Sequence, residues 1–130
     1  MASPFRPLAR ALTGSTYVLL GVDALATPGN RVDMARPMLA AIRRAVPLPA
    51  DEVVVRGNAA VMVAGGATLA LGVLPRLSAL ALAGSMVPTT LAGHAYWTVE
   101  DPALRKLQRI HFHKNVAMIG GLLFAVLDRS

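Results

Sequence analysis

Four stretches without a charged side chain constrain this chain more than any other feature. Gly57 to Pro75 is 19 residues and Leu77 to Val99 is 23, and neither holds Asp, Glu, Lys or Arg. As helices, both are long enough to cross a hydrocarbon core of about 30 Å. Ala11 to Val22 is 12 residues and Asn115 to Leu127 is 13. These become spans only if the bounding Arg10, Asp23, Lys114 and Asp128 lie at the interface or turn into a bundle. Composition agrees: 55% of the 130 residues are apolar and 15% charged, with a mean hydropathy of +0.53. A soluble domain carries about a quarter charged residues, and a disordered chain lacks this hydrophobicity. The expectation is one all-α domain over residues 1–130, an integral membrane four-helix bundle running up-down-up-down. Its spans fall at about residues 8–27, 54–74, 77–98 and 108–127. The first run has an alternative reading. Arg6, Arg10, a short apolar stretch and Ala24-Leu25-Ala26 also resemble a signal peptide, although Asp23 is unusual just before a cleavage site.

Lipid gives helices no hydrophobic reason to associate, so close packing relies on small residues spaced four apart. Span 2 offers Ala60, Ala64, Thr68 and Gly72, and span 4 offers Ala117, Gly121 and Ala125. Gly65-Gly66 and Gly120-Gly121 read as packing glycines. Pro88 frees the carbonyl of Gly84 and predicts a kink in span 3, with Ser85, Thr89 and Thr90 near the disturbed turn. Asp101-Pro102 is an N-cap followed by Pro at the first helical position, so the last helix should start near Pro102. Its first turns carry Arg105, Lys106 and Arg109. In the long first loop, Met38, Leu39, Ile42 and Val46 predict an interfacial helix over about residues 34–46, ended by Pro47 and Pro49. Tyr96, Trp97 and Phe112 suit an interfacial aromatic belt.

The net charge is +6, and the cations cluster at the ends of apolar runs. Anionic lipid headgroups are the simpler counter-charge, and no nucleic-acid partner is expected. The chain has no cysteine, which excludes disulfides, CxxC redox chemistry, iron–sulfur clusters and thiolate metal sites. No GxGxxG, P-loop or GxSxG motif occurs. An even number of spans puts both termini on one side, with Arg6, Arg10, Arg76 and Arg129. The loops after spans 1 and 3 lie opposite, with the other nine cations. The positive-inside rule then turns that loop side to the cytoplasm.

The polar residues in or beside the spans gather at the loop side. Asp23 ends span 1, Arg56 and Asn58 open span 2, Thr89, Thr90, His94 and Trp97 lie late in span 3, and His111, Lys114 and Asn115 open span 4. Buried charges at membrane depth need partners, which pairs Asp23 with Arg56 or Lys114. Two readings remain. Asp23, Arg56, Asn58, Thr90, His94, Trp97, His111, Lys114 and Asn115 line an inter-helix pocket suited to a quinone headgroup, a lipid headgroup or a proton path. Alternatively, these groups hold the helices in register, with His111, His113 and Lys114 in the headgroup layer. His94 and His111 could geometrically ligate haem or a metal, but no supporting motif accompanies them. His111 and His113 are two apart on a helix and face different ways. No catalytic or metal-binding residue is expected.

Several segments resemble the DoxX family of small four-helix membrane proteins, in its actinobacterial form. They are Pro75-Arg76-Leu77, Val87-Pro88-Thr89-Thr90-Leu91-Ala92-Gly93-His94 with Trp97, and Lys114-Asn115 followed by Gly120-Gly121-Leu122-Leu123. Asp23-Ala24-Leu25 and Asp128 also fit. One departure stands out: many members carry a glutamate about a turn before the paired glycines of span 2, where this chain has Ala60, Val61 and Met62. The family is named for a membrane subunit associated with thiosulfate-to-quinone oxidation. Some members are linked to mycobacterial assemblies containing a sulfurtransferase and a superoxide dismutase. The resemblance therefore implies a non-catalytic subunit of the bacterial plasma membrane, multi-pass, organising a redox or oxidative-stress complex. Its partners would be the bilayer, proteins of that complex and, in a homo-oligomer, a second copy. The alternative is a quinone- or lipid-binding subunit of an oxidoreductase. No cofactor is expected under the first reading; quinone is the one the second admits. A small transporter ranks last, without broken helices or inverted repeats.

Overall fold

The computed structural model describes residues 3–128, so Arg129 of the orientation count lies outside them. Among the described residues the chain is all-helical: α1 (Phe5–Ala26), α2 (Gly29–Arg43), α3 (Asp51–Leu71), α4 (Pro75–Gly93), a 3-10 turn (Tyr96–Thr98) and α5 (Pro102–Leu127). Local chemistry sets several boundaries. Asp51 and Glu52 favour the positive end of α3. Gly72, at φ +74, ends it in the left-handed conformation, and the Val73 amide donates to the Thr68 carbonyl at 2.8 Å. Asp101 caps α5 by accepting from the Ala103 amide at 3.2 Å, with Pro102 in the first turn as expected. α4 continues through Pro88 to Gly93. The first loop does hold a helix, shifted toward the N-terminus from the expected residues 34–46: α2 buries Ala35 and Leu39, one turn apart, while Ile42 and Val46 are exposed.

α1 packs on α3, α3 on α4 and α4 on α5, while α2 lies against α3 and α4. Paired positions show that neighbouring long helices are antiparallel. Gly14 lies against Gly66 and Ala70, whereas Gly21 lies against Ala59 and Val63. Thr68 reaches Ser78 while Asn58 reaches Thr89. Arg76 reaches Val126 while His94 reaches Gln108. The α1–α3 contact is a seam of bare backbone. A Cβ on Gly66 would stand 2.6 Å from the Gly14 carbonyl oxygen, and one on Gly14 would overlap the Gly66 carbonyl. The core beside it contains Tyr17, Met62, Leu69, Leu82, Met86 and Leu122.

This packing bears out Gly65-Gly66 and corrects the other small-residue ridges. Ala60 and Ala64 are exposed; α3 buries Ala59, Met62, Gly65, Gly66 and Leu69. The reason is that α3 is sandwiched. Gly66 meets α1 while its neighbour Gly65 meets Leu82 of α4, so a single ridge cannot describe the buried face. On α5, Ala117 and Gly121 are exposed, and a Cβ on Gly120 or Gly121 would touch nothing within 4 Å.

Among the described residues two helices, α3 and α5, are long and apolar enough to cross a membrane by length and composition. Arg6, Arg10 and Asp23 dilute α1, and Arg76 with four hydroxyl residues and two prolines dilutes α4.

The seam predicts opposite outcomes for glycine substitutions. Gly66→Val should destabilise by about 1–3 kcal/mol through overpacking, read as a lower thermal midpoint in mild detergent. Gly120→Ala should be neutral or stabilise by up to about 1 kcal/mol, because Ala is the better helix former. Equal midpoints for the two variants would refute the seam.

Candidate functional site

Helix direction brings all nine candidate residues to the loop end, where α1 and α4 finish and α3 and α5 begin. They do not form one ion-paired pocket. Asp23 pairs with Arg31 at 2.7 Å rather than with Arg56 or Lys114. Only Thr27 and Pro28 separate α1 from α2, so the chain turns back and offers Arg31 first; Arg31 also donates to the Thr27 carbonyl. Arg56 pairs one turn back along its own helix with Glu52, at 3.0 Å. Both pairs are solvent-exposed, and Lys114 is exposed as well. Exposed pairs of this kind contribute about 0–1 kcal/mol. Asp51, more buried, draws in Arg43 from α2.

Asn58 has a structural partner set. Its Nδ2 donates to Thr89 Oγ1 at 2.8 Å, and Ser85 Oγ donates to its Oδ1 at 2.8 Å. Thr89 Oγ1 in turn donates to the Ser85 carbonyl. This network bridges α3 and α4 beside Pro88, the turn where hydroxyls are expected. Thr90 is 3% exposed, and its Oγ1 meets no hydrogen-bond partner among the described residues.

The third group lies where α4 ends. His94 Nδ1 and Gln108 Oε1 are 2.7 Å apart. For that oxygen to accept, Nδ1 must carry a proton. The His94 and His111 rings stack, with centroids 5.3 Å apart and planes 28° from parallel. Tyr96, Trp97 and Phe112 meet edge-to-face at 5.3–5.8 Å. His111 is half-buried, as is Asn115, whereas His113 is exposed against Phe112. Stacked imidazoles do not aim their nitrogens at a common centre. Among the described residues, no group of three or more His, Asp or Glu could hold a metal ion.

Sequence reasoning missed Gln108. Its signal was present: Gln108, His111 and Asn115 recur at the three- and four-residue steps of one face of α5. It also assigned no site to the opposite end, where Arg6, Arg10 and Arg76 line a cleft with Asp128.

The sequence profile of the DoxX family matches residues 6–95, which span α1 to the end of α4. No curated protein and no solved structure matches the chain.

The polar sets predict unequal costs. Asn58→Leu leaves Ser85 without its acceptor and Thr89 without its donor, and should destabilise by about 1–3 kcal/mol. Asp23→Ala should cost less than about 1 kcal/mol. Thermal unfolding of the two variants checks this; a larger loss from Asp23→Ala would mean a buried role for that carboxylate.

Proposed function

The chain belongs to the DoxX family, and on that premise we propose a multi-pass subunit of the bacterial plasma membrane that organises a redox or oxidative-stress assembly without catalysing a reaction itself. In this reading α1, α3, α4 and α5 all span the bilayer up-down-up-down, and α2 lies at the cytoplasmic interface. One observation carries it: large aliphatic side chains cover the outside of the long helices, while hydroxyl groups are taken into the interior. α4 buries Ser78, Ser85 and Thr90 among Ala79, Leu82, Ala83 and Met86, and exposes Leu77, Leu80, Val87 and Leu91. α1 buries Gly14, Tyr17, Gly21 and Ala24 and exposes Leu8, Leu12, Leu19 and Val22. Polar groups turned inward and aliphatic groups turned outward suit a lipid solvent. This also supports spans for the two helices whose overall hydropathy is modest.

α5 favours the organising role. It is 26 residues long and Leu122 is its one buried residue among those described. It thus offers lipid or partner proteins an apolar flank, with exposed Arg105, Lys106 and Arg109 at its start. A second reading, a quinone-binding subunit, is favoured by His94: with Nδ1 tied to Gln108 and the ring stacked on His111, Nε2 is the nitrogen a quinone headgroup would meet.

The absence of cysteine makes topology directly measurable. Single cysteines introduced at Ala45 and Val99 should react with an impermeant maleimide from one side of the membrane, and one at Val73 from the other. Labelling of all three from one side would refute the four-span topology. For the organising role, mild-detergent purification should recover proteins with thiol or superoxide chemistry, and Arg105→Glu with Arg109→Glu should release them. Recovery of this chain alone, with and without oxidative stress, would overturn it. For the second reading, co-purifying quinone should be lost in His94→Ala.

A further inference from the structure

Because α1 and α5 stand at opposite ends of the packing succession, they are not closely packed on each other. A cleft of about 520 Å³ opens between them at the end away from the histidines, within the size range of ligand pockets. Its mouth is basic. Arg6 and Arg10 lie one turn apart on the same face of α1, and Arg76 comes from the first turn of α4. Asp128 is the one carboxylate among the lining residues, set against these three guanidiniums. Arg6 Nε lies 3.3 Å from Asp128 Oδ2, and Arg76 Nε donates to the Val126 carbonyl at 2.7 Å. A guanidinium has five N–H donors, so each of these two bonds leaves donors for another anion. Deeper, the lining is apolar: Leu69, Leu122 and Ala125. Gly121 lines the cleft as well, and no neighbour lies within 4 Å of the position its Cβ would take. Gly121 lies six residues before Leu127, roughly 9 Å down the helix at 1.5 Å per residue.

We propose that this cleft binds one anionic phospholipid, its phosphate held among Arg6, Arg10 and Arg76 and the start of an acyl chain lying over Gly121 and Leu122. The inference rests on the membrane placement argued above and adds a ligand site at the other end of the helices. Two features point to a lipid rather than a small anion. The excess of positive charge sits at the mouth, and the apolar floor continues from it into the span. Basic pockets between membrane helices recognise anionic headgroups in this way. A free phosphate would use the mouth alone.

The test is native mass spectrometry of the full chain released from nanodiscs containing phosphatidylcholine and phosphatidylglycerol. Phosphatidylglycerol should be retained in preference. Arg10→Gln and Arg76→Gln should each lower that preference about fivefold, as expected for one basic residue at an anionic surface. Gly121→Phe keeps every charge but fills the floor, and should also expel the lipid. Arg36→Gln, at the opposite end, should change nothing. Equal retention of the two lipids overturns the proposal. So does displacement of phosphatidylglycerol by inorganic phosphate together with unchanged retention in Gly121→Phe, because that pair of results assigns a free-anion site. Should Arg76→Gln fail to fold, Arg10→Gln and Gly121→Phe decide. Extraction by alkaline carbonate would instead show that the membrane placement has failed, whereas a carbonate-resistant protein without lipid preference isolates the failure to the cleft.

Discussion

The backbone contact between α1 and α3 governs the rest of the arrangement. At Gly14 and Gly66 two helices approach so closely that neither position has room for a Cβ. In lipid such proximity supplies the dispersion contacts that hydrophobic burial supplies in water. With α1 seated there, Gly65 is left to receive Leu82 of α4 on the other side of α3. The Thr68 and Ser78 hydroxyls, 2.6 Å apart, and the Asn58 bridge to Ser85 and Thr89 then fix α4 near both ends of that contact. α5 comes last. It reaches the core through Leu122, with Met118, Ile119, Ala125 and Val126 packed against it, and turns its other side outward. The exposure of α5 and the cleft beside α1 thus follow from the same seam.

Charge obeys a different rule from packing in this molecule. Arg6 with Asp128 ties the start of α1 to the end of α5, while the other ion pairs form locally: Asp23 with Arg31, Arg36 with Asp33, Arg56 with Glu52, and Arg43 with Asp51. None of these four crosses the interior between spans. An ion pair at membrane depth must repay the desolvation of both partners, whereas a pair at a helix end keeps water on one side. Neutral groups instead carry the polar contacts across α3 and α4, where amide and hydroxyl hydrogen bonds are satisfied at far smaller cost. That division explains why Asp23 and Arg56 at the loop end pair with Arg31 and Glu52 nearby in the chain rather than with each other.

The sequence made some of this legible because the relevant physics is local. The charge-free runs locate α3 and α4. Asp101-Pro102 marks the start of α5 to the residue, and the Gly65-Gly66 pair marks a packing surface. What escaped depends on which helix becomes a neighbour. Ala60 and Ala64 have the spacing of a packing ridge, yet α3 presents Ala59, Met62 and Gly66 because it serves two partners at once. Asp23 was assigned a distant cation because nothing in its own helix indicates that α2 folds back after two residues. Gln108 went unnoticed because an amide gains meaning only when His94 arrives at 2.7 Å. The cleft depends on the separation of α1 from α5, which no spacing within either helix encodes.

α5 joins the two polar ends of the molecule. Gln108 and His111 complete the imidazole group at one end, while Gly121, Leu122 and Asp128 form a wall of the arginine cleft at the other. The family match ends at residue 95, before α5 begins. The matched part of the chain contains the glycine seam and the α3–α4 bridge, and α5 adds residues to each polar site. α5 is held near its ends by the His94–Gln108 and Arg76–Val126 hydrogen bonds, and between them by Leu122 with Met118, Ile119 and Ala125 on the core. Hydrogen bonds between membrane helices contribute about 0.6–2 kcal/mol each. With Leu122 its one buried residue among those described, α5 keeps most of its surface free for other molecules, and both polar groups lie where it meets α4 or faces α1.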